Sequence, residues 1–193
     1  MINVTVDHND LDYVRQRLGD LEDQAPRTLK NAVNKTARET RKRLAEKAQE
    51  RYTVKSAGFS NHTQIQNATL SNLNATIRVK GRTLTLPRFH VTHPKRSGVR
   101  ADVLKGGGLK TMMGSRKIKA FLATVSTNGT KMVLQRKGKS RYPLKGLHGV
   151  SVPKMLEKVY DGKSVTDPGL KAEIERMYYE NVEEEIGKVL NGG

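Results

Sequence analysis

The sequence predicts an α+β fold, in which an antiparallel sheet packs against a long helix, with a long basic loop or arm and a C-terminal helix. Three observations predict it. Apolar and small residues recur at helical spacing over 26–52. Apolar and polar residues alternate over 73–80. Asn128-Gly129, the strongest short turn signal in the chain, separates two strand-like segments. The length of 193 residues fits a single domain, 1–193.

A short strand and a first helix are predicted at the start of the chain, within segments 1–9 and 10–52. Asn9 or Asp10 can cap the helix. The strand is predicted by apolar residues that alternate with polar ones: Ile2, Val4 and Val6. The apolar stripe of the helix consists of Leu11, Val14, Leu18 and Leu21.

The long helix is predicted from Pro26 to about Tyr52. Proline suits the first helical position because the N–H that it lacks would have no helical partner there. At 1.5 Å per residue this helix would be roughly 40 Å long. Its predicted buried face is made mostly of small residues, which permits close approach of another helix or a sheet. These residues are Leu29, Ala32, Val33, Thr36, Ala37, Thr40, Leu44, Ala45, Ala48 and Tyr52.

Residues 53–90 are predicted to contain two strands that pair across a turn at Gly81. In both strands apolar residues alternate with polar or basic ones, which is typical of strands with one buried face. The residues predicted to point inward are Leu73, Ala75, Ile77 and Val79 in the first strand, and Leu84 and Leu86 in the second.

A hairpin is predicted over 117–142, with strands at 117–125 and 131–136. We expect these strands and those of 73–86 to form one sheet, with the long helix packed across it. The segment between them, 91–116, is rich in glycine and basic residues, and we expect a flexible or extended basic arm there. Loops of this length inside compact domains tend to be functional or disordered.

Residues 143–193 are predicted to form a helical C-terminal region. Pro153 can open a helix that continues to about Tyr160, and Thr166-Asp167-Pro168 resembles a helix cap followed by proline in the first turn. The final helix would bury Leu170, Ile174, Met177, Tyr178, Ile186 and Val189.

The net charge of +17 is distributed unevenly along the chain. Residues 1–50 are nearly neutral, residues 51–160 carry 22 basic and two acidic side chains, and residues 161–193 have a net charge of −4. A segment as basic as 51–160 repels itself unless it meets a polyanion or an acidic protein surface. The acidic C-terminal segment, in the same chain or in a neighbouring copy, is one such surface.

Few residues suit catalysis or metal binding. The chain has no cysteine, which excludes disulfides and thiolate chemistry. His90 and His93 lie between Pro87 and Pro94, without a nearby carboxylate to complete a metal site. The glycine-rich 106–111 segment lacks the spacing of a phosphate-binding P-loop. We therefore expect no enzymatic activity, no catalytic residue, no metal and no cofactor.

The chain also lacks signals for a membrane or for export. No apolar run approaches the roughly 18–20 residues of a membrane span. The polar, acidic N-terminal segment does not resemble a secretory signal. We expect a protein that is made in the cytoplasm and has no membrane partner.

Nine basic residues are candidate contacts to DNA or to a partner: Arg78, Lys80, Arg82, Arg88, Lys95, Arg96, Arg100, Lys105 and Lys110. Basic side chains contact phosphates with a salt-sensitive gain in affinity. However, the aromatic residues that stack bases in single-strand binders are almost absent here. Two interpretations therefore remain, sequence-independent nucleic-acid contact and charge that is solvated or faces an acidic protein. On the final helix, the candidate inter-subunit residues are Glu173, Glu180, Glu183 and Glu184.

Two stretches carry a family resemblance. One begins with Asn31-Ala-Val-Asn-Lys-Thr-Ala37 and leads to Tyr52-Thr-Val-Lys55. The other begins with Lys119-Ala-Phe121, passes through Arg136-Lys-Gly138 and Arg141-Tyr-Pro143, and ends in Gly149-Val-Ser151-Val-Pro153. Both resemble the phage minor tail protein Z (tail completion) family, and the order of elements matches over nearly the whole chain.

The resemblance implies a structural, non-enzymatic tail protein of the virion, without a cofactor. Such a protein acts at the head-proximal end of the tail, where it completes or terminates the tail and enables head–tail joining. The implied partners are identical subunits in a ring, expected to be a hexamer, the tail tube protein and the head–tail connector proteins. The tape measure protein and the phage DNA are further candidates. The alternative function is sequence-independent nucleic-acid binding by the basic 51–160 segment.

Overall fold

The computed structural model describes residues 2–55, 58–94, 98–113, 117–125, 129–162 and 169–192. The chain divides into two compact units: Met1–Glu46, Phe59–Lys80 and Leu156–Gly193 form the first, and Lys47–Gly58 and Gly81–Met155 form the second. The helices are α1 (His8–Leu18), α2 (Ala25–Arg51), α3 (Val152–Asp161) and α4 (Lys171–Leu190). The strands are β1 (Ile2–Val4), β2 (Thr63–Gln66), β3 (Ala75–Val79), β4 (Thr83–Thr85), β5 (His90–Thr92), β6 (Arg100–Asp102), β7 (Lys110–Thr111), β8 (Phe121–Thr124), β9 (Lys131–Arg136) and β10 (Leu144–Ser151). The predicted α+β class is confirmed.

The helix α1 begins earlier than predicted, because its cap is Asp7 and not Asn9 or Asp10. The Asp7 carboxylate accepts a hydrogen bond from the Asp10 N–H at 2.8 Å, and the Asp10 carboxylate accepts one from the Asp7 N–H at 3.1 Å. This reciprocal capping box satisfies two N–H groups that the first turn of a helix leaves free. Asp10 therefore takes part in the cap from the third position of the helix.

The long helix is confirmed as α2, which follows a 3-10 turn at Gly19–Gln24. Nearly all of the face that was predicted to be buried is buried. Its fully excluded residues include Leu29, Ala32, Val33, Thr36, Ala37, Thr40, Leu44 and Ala48. Small side chains on this face allow neighbouring elements to approach the helix backbone closely.

The sheet of the first unit has the strand order β1-β3-β2, and both pairs are antiparallel. Ile77 of β3 pairs with Ile2 on one side and with Ile65 on the other. The strand at 75–79 was predicted, but its expected partner at 84–86 was wrong, because β4 pairs with β10 in a different sheet. Strand pairing depends on the packing of cross-strand neighbours, which short-range alternation does not specify.

The second unit contains a four-stranded sheet of order β4-β10-β9-β8 and a three-stranded sheet of order β5-β6-β7. The predicted hairpin is confirmed as the antiparallel pair β8–β9. Asn128 of its predicted turn lies outside the described residues, and Gly129 has a positive φ of 77°. The prediction of one sheet containing 73–86 and 117–136 was wrong, because β3 and the hairpin belong to separate sheets.

The strand β10 lies in the segment 143–193, which was predicted as a helical region with breaks, and it occupies the part before Pro153 where a loop was expected. Gly146 and Gly149 interrupt its apolar pattern, and glycine weakens a strand signal. A Cβ atom at position 149 would lie 2.3 Å from Cε2 of the buried Phe89, so this aromatic ring occupies the space that a side chain would need. The helix α3 follows directly, with Pro153 in its first turn as predicted. Thr166, Asp167 and Pro168 lie outside the described residues.

Within residues 91–116, the described parts form a small sheet instead of an open arm. The strand β6 pairs with β5 and β7, and Val99 and Ala101 are 1% and 3% exposed. Strands of two or three residues are too short to produce a recognisable period in the sequence.

Candidate functional site

The two units differ sharply in charge. The first unit carries 16 basic and 17 acidic residues, a net charge of −1. The second carries 20 basic residues and only two acidic ones, Glu50 and Asp102, a net charge of +18. The basic character of the protein is therefore concentrated in one compact unit.

The structure divides the nine predicted basic contacts between the two units. Arg78 and Lys80 lie in the first unit, on β3 and directly after it. Lys95 and Arg96 lie outside the described residues. The other five lie in the second unit, and all of them are exposed: Arg82, Arg88, Arg100, Lys105 and Lys110. Their role in binding DNA or a partner stays a prediction.

The sheet β5-β6-β7 presents basic side chains on both of its faces. Arg100 lies on the same face as Thr92 and Thr111, its register partners, and its Nη2 donates to the Leu109 carbonyl oxygen at 3.3 Å. Lys110 lies on the opposite face, beside the buried Ala101. This sheet therefore spreads its charges instead of converging them on one ligand.

The four-stranded sheet has one face that is buried at its centre and one half-exposed face. The margins of the buried face are exposed at Thr124, Lys131 and Lys145. On the buried face, Val133 is fully excluded from solvent, and Gly149 contacts Phe89. The opposite face, which we call the open sheet face, consists of Phe121, Ala123, Met132, Leu134, Arg136, Leu144, Gly146 and His148. Each of these residues is at least partly exposed, and Phe121 is 36% exposed. This apolar surface therefore carries a cation, Arg136, on the same side.

The four predicted inter-subunit glutamates of α4 already have basic partners within the first unit. Arg43 Nε lies 2.9 Å from Glu173, and Arg17 Nη2 lies 3.1 Å from Glu183. Lys35 pairs with Glu184. Glu180 has a longer contact of 3.7 Å with Arg176 of its own helix. These residues bind α4 to α1 and α2, and their role between subunits stays a prediction.

A buried amide supports the same helix pair. Asn181 is 4% exposed, and its Nδ2 donates to Thr36 Oγ1 at 3.0 Å and to Glu39 Oε2 at 2.7 Å. Thr36 in turn donates to the Ala32 carbonyl at 2.9 Å. A buried polar group that is fully bonded avoids the desolvation penalty that it would otherwise suffer.

The charges of α4 shift the pKa values of their neighbours. Hydrogen bonds from Lys35 and from Lys188 lower the pKa of Glu184 to about 2. Hydrogen bonds to Glu185 and Glu184 raise the pKa of Lys188. The pKa of Tyr13 is raised mainly by its hydrogen bond to Glu183, and that of Tyr178 mainly by burial and then by the charge of Asp10. Carboxylates thus favour the neutral form of these tyrosines, whereas lysines hold Glu184 in its charged form.

Two of the open hollows beside α4 are lined by tyrosines. The larger, of about 720 Å³, is lined by Ala172, Glu175, Arg176, Tyr179, Glu180 and Glu183. The smaller, of about 320 Å³, includes Asp7, Asp10, Tyr160, Tyr178 and Tyr179 in its lining. Both lie within the first unit, and together they form a surface on which tyrosine rings stand among carboxylates.

Sequence reasoning missed several residues that shape these surfaces. Tyr13, Arg17 and Arg43 contact acidic residues more than a hundred positions away, and no local pattern identifies such partners. Phe121 lies in a predicted strand between Ala120 and Leu122, so no alternation with polar residues indicated which face of the sheet it would occupy.

Metal and membrane features can be assessed for the described part of the chain. There, no three histidine, aspartate or glutamate side chains come together in an arrangement that could hold a metal ion. Among the same residues, no helix is long and apolar enough to cross a membrane.

The fold and surfaces define an α+β protein that presents two differently charged surfaces, one acidic with tyrosines and one strongly basic. In a comparison with known families, the model of prophage minor tail protein Z (GPZ) matches residues 11–191. The chain belongs to this family, and it is therefore a structural component of a phage tail that associates with other components of the virion tail. No curated protein and no solved structure matches the chain.

Proposed function

We propose that this protein is non-enzymatic and acts at the head-proximal end of the tail, where it completes the tail and makes it competent to join the head. The observation that carries the proposal is the family match over 11–191. Segregated charge supports it, since a unit with a net charge of +18 is stabilised when an acidic surface or a polyanion lies against it.

The working form is a ring of identical subunits, with six copies to match the tail tube. A basic surface on one subunit and an acidic surface on the next make a head-to-tail contact, and such contacts close into rings when the rotation permits. The tail tube protein and the head–tail connector proteins would bind the two sides of this ring. The tape measure protein and the phage DNA are further partners that the ring could contact.

Complementation of a prophage that lacks the gene tests this role. We expect the deletion to yield heads and tails of normal length that remain separate in electron micrographs. Purified protein added to the lysate should restore joined, infectious particles. A tag on the added protein should be seen at the head-proximal end of the tail. Labelling of the distal end, or full infectivity without the protein, would contradict the proposal.

A titration of the added protein separates a structural role from an enzymatic one. A structural ring requires a fixed number of copies per tail, so the yield of joined particles should rise with added protein and saturate near six copies for each tail. Restoration of all particles by far less than one copy per tail would indicate turnover and would overturn the non-enzymatic assignment.

A second candidate function is sequence-independent nucleic-acid binding by the 51–160 segment, which the charge of the second unit favours. Charge reversal of Arg100, Lys105 and Lys110 tests this function. Deletion of the segment that contains them is a poorer test, because it would also remove the buried Val99 and Ala101. If these residues contact phosphates, binding in gel shifts should fall steeply with salt, and reversal should reduce the slope of log K against log salt by about 3. Unchanged binding by the triple variant would exclude these contacts.

A further inference from the structure

We infer that the acidic, tyrosine-bearing side of α4 in one subunit docks on the open sheet face of a second copy of this chain. The inference rests on the ring proposed above and assigns the two surfaces that meet in it. The acidic side, which we call the α4 face, consists of Tyr13, Ala172, Glu175, Arg176, Tyr179, Glu180 and Glu183. Its cation, Arg176, lies 3.7 Å from Glu180, so the carboxylates outnumber the cations on this face.

The α4 face combines exposed aromatic area with negative charge. Tyr179 is 51% exposed and Tyr13 is 40% exposed. Tyr179 lines the 720 Å³ hollow together with Glu175 and Glu180. Exposed tyrosines within a polar surround are typical of protein–protein contacts, because the ring contributes apolar area and the hydroxyl can remain hydrogen-bonded.

Part of the charge on the α4 face is available to a partner. Glu183 is engaged by Arg17 and Tyr13, whereas no described basic side chain lies within ion-pair distance of Glu175. The pKa of Tyr179 is raised, chiefly by the charge of Asp10, which agrees with a negative potential at this surface. A basic partner would relieve this potential.

The open sheet face offers the complementary features. Phe121, Met132, Leu134 and Leu144 provide apolar area on three adjacent strands, β8, β9 and β10. Because adjacent strands lie about 4.8 Å apart, three strands make a surface about 10 Å across, similar to the diameter of a helix with its side chains. Arg136 supplies positive charge on the same face. A helix side that presents the exposed Tyr179 among glutamates therefore suits this face in both width and charge.

A second copy of this chain is the occupant because the chain carries both halves of the contact. The α4 face lies in the unit of net charge −1, and the open sheet face lies in the unit of net charge +18. Contact between unlike faces of successive copies is heterologous, and heterologous contacts can close into a ring.

Two variants, each with one altered face, test the inference. Glu175→Lys with Glu180→Lys alters the α4 face, and Phe121→Glu with Arg136→Glu alters the open sheet face. All four residues are exposed, so both variants should fold. Asp20→Lys with Glu22→Lys is the matched control for the variant of the α4 face, since it makes the same charge change at exposed positions that belong to neither face.

Sedimentation of the purified full-length chains is the measurement. We expect the wild type and the control to form one defined oligomer, and each altered variant to weaken self-association by at least about tenfold. A mixture of the two altered variants should form a dimer and no larger species, because only one intact pair of faces remains.

The outcomes separate this inference from the ring itself. A wild-type chain that stays monomeric would overturn the ring and, with it, this contact. A wild-type oligomer that both altered variants also form would overturn the contact and leave the ring standing. If the variant of the open sheet face assembles normally but loses DNA binding in gel shifts, that face is a polyanion site and the inference is wrong.

Discussion

The first and second units differ in the size of their apolar cores and in the balance of their charges. Among the described residues, the first unit has 21 buried apolar side chains and the second has 11. The first unit offsets its charges with ion pairs such as Arg43–Glu173, whereas the second has 20 basic residues for two acidic ones. The comparison indicates that the first unit balances its own charges, whereas an acidic partner would stabilise the second.

The largest expected effect is a loss of stability in the second unit, whose smaller apolar core depends on one aromatic side chain. Phe89 is fully excluded from solvent, and its ring lies against Gly149. Phe89→Ala should destabilise the second unit by about 3–5 kcal/mol, because it removes apolar burial and leaves a cavity. Hydrogen exchange of the Val133 amide during a urea titration would measure this loss. Val125→Ala, at a position 45% exposed, should change stability by less than about 0.5 kcal/mol. Equal effects of the two would contradict the proposed core.

The next effect compares one glycine from each unit. Gly149→Ala should destabilise the second unit by about 1–3 kcal/mol, since the new Cβ would lie 2.3 Å from the Phe89 ring. Gly187→Ala should instead stabilise α4 by about 0.5–1 kcal/mol, because nothing lies within 4 Å of its Cβ position and alanine favours a helix. Thermal unfolding of both variants measures these changes in stability. A change of the same sign in both variants would contradict the expected difference between the two glycines.

Salt should act on the two units in opposite directions. Raising KCl from about 0.1 M to about 1 M shortens the Debye length from about 10 Å to about 3 Å. Screening should relieve self-repulsion in the second unit and slow amide exchange in β9. In the first unit the exposed ion pairs, worth about 0–1 kcal/mol each, should weaken, and exchange in α4 should become slightly faster. A change of the same sign in both units would show that charge does not distinguish them.

Acid should produce the smallest effect, and only in the first unit. The pKa of Glu184 lies at about 2 in the folded chain against an ordinary value of 4.5, because Lys35 and Lys188 hold the charged form. This lowered pKa contributes stability that is present above pH 4.5 and is lost as the pH falls towards 2. Glu184→Gln should therefore flatten the dependence of unfolding temperature on pH in that window. Asp20→Asn, at an exposed site that forms no ion pair with the described residues, is the control and should leave the slope unchanged.

Periodic elements were predictable from the sequence, because their signals are local. The helix α2 was expected from Pro26 to about Tyr52 and spans Ala25–Arg51. Its apolar and small residues return every three or four positions, which few other structures explain. The hairpin β8–β9 followed from the Asn128-Gly129 turn signal between two strand-like segments. The uneven distribution of charge along the chain was also predictable, because it follows from a count of the basic and acidic residues.

Pairing between distant segments could not be predicted in the same way. The strand β10 contains two glycines, and its position between β4 and β9 depends on contacts such as that of Gly149 with Phe89. The partners of the α4 glutamates come from α1 and α2, far away in the chain. Of the basic candidates, Arg78 and Lys80 fall in a different unit from Arg82, only two positions later. A single sequence supplies these charges but not the geometry that groups them.

The amide of Asn181 has a consequence for how precisely α4 can be seated. Sliding α4 along α2 by one turn, about 5.4 Å, would bring similar apolar side chains together but would carry this amide away from Thr36 and Glu39. A stranded buried amide costs about 1–3 kcal/mol, which makes the shifted alignment roughly 5 to 150 times rarer. The Asn181 side chain thus selects one alignment of α4 along α2, where apolar contacts alone would leave several alignments nearly equal in energy.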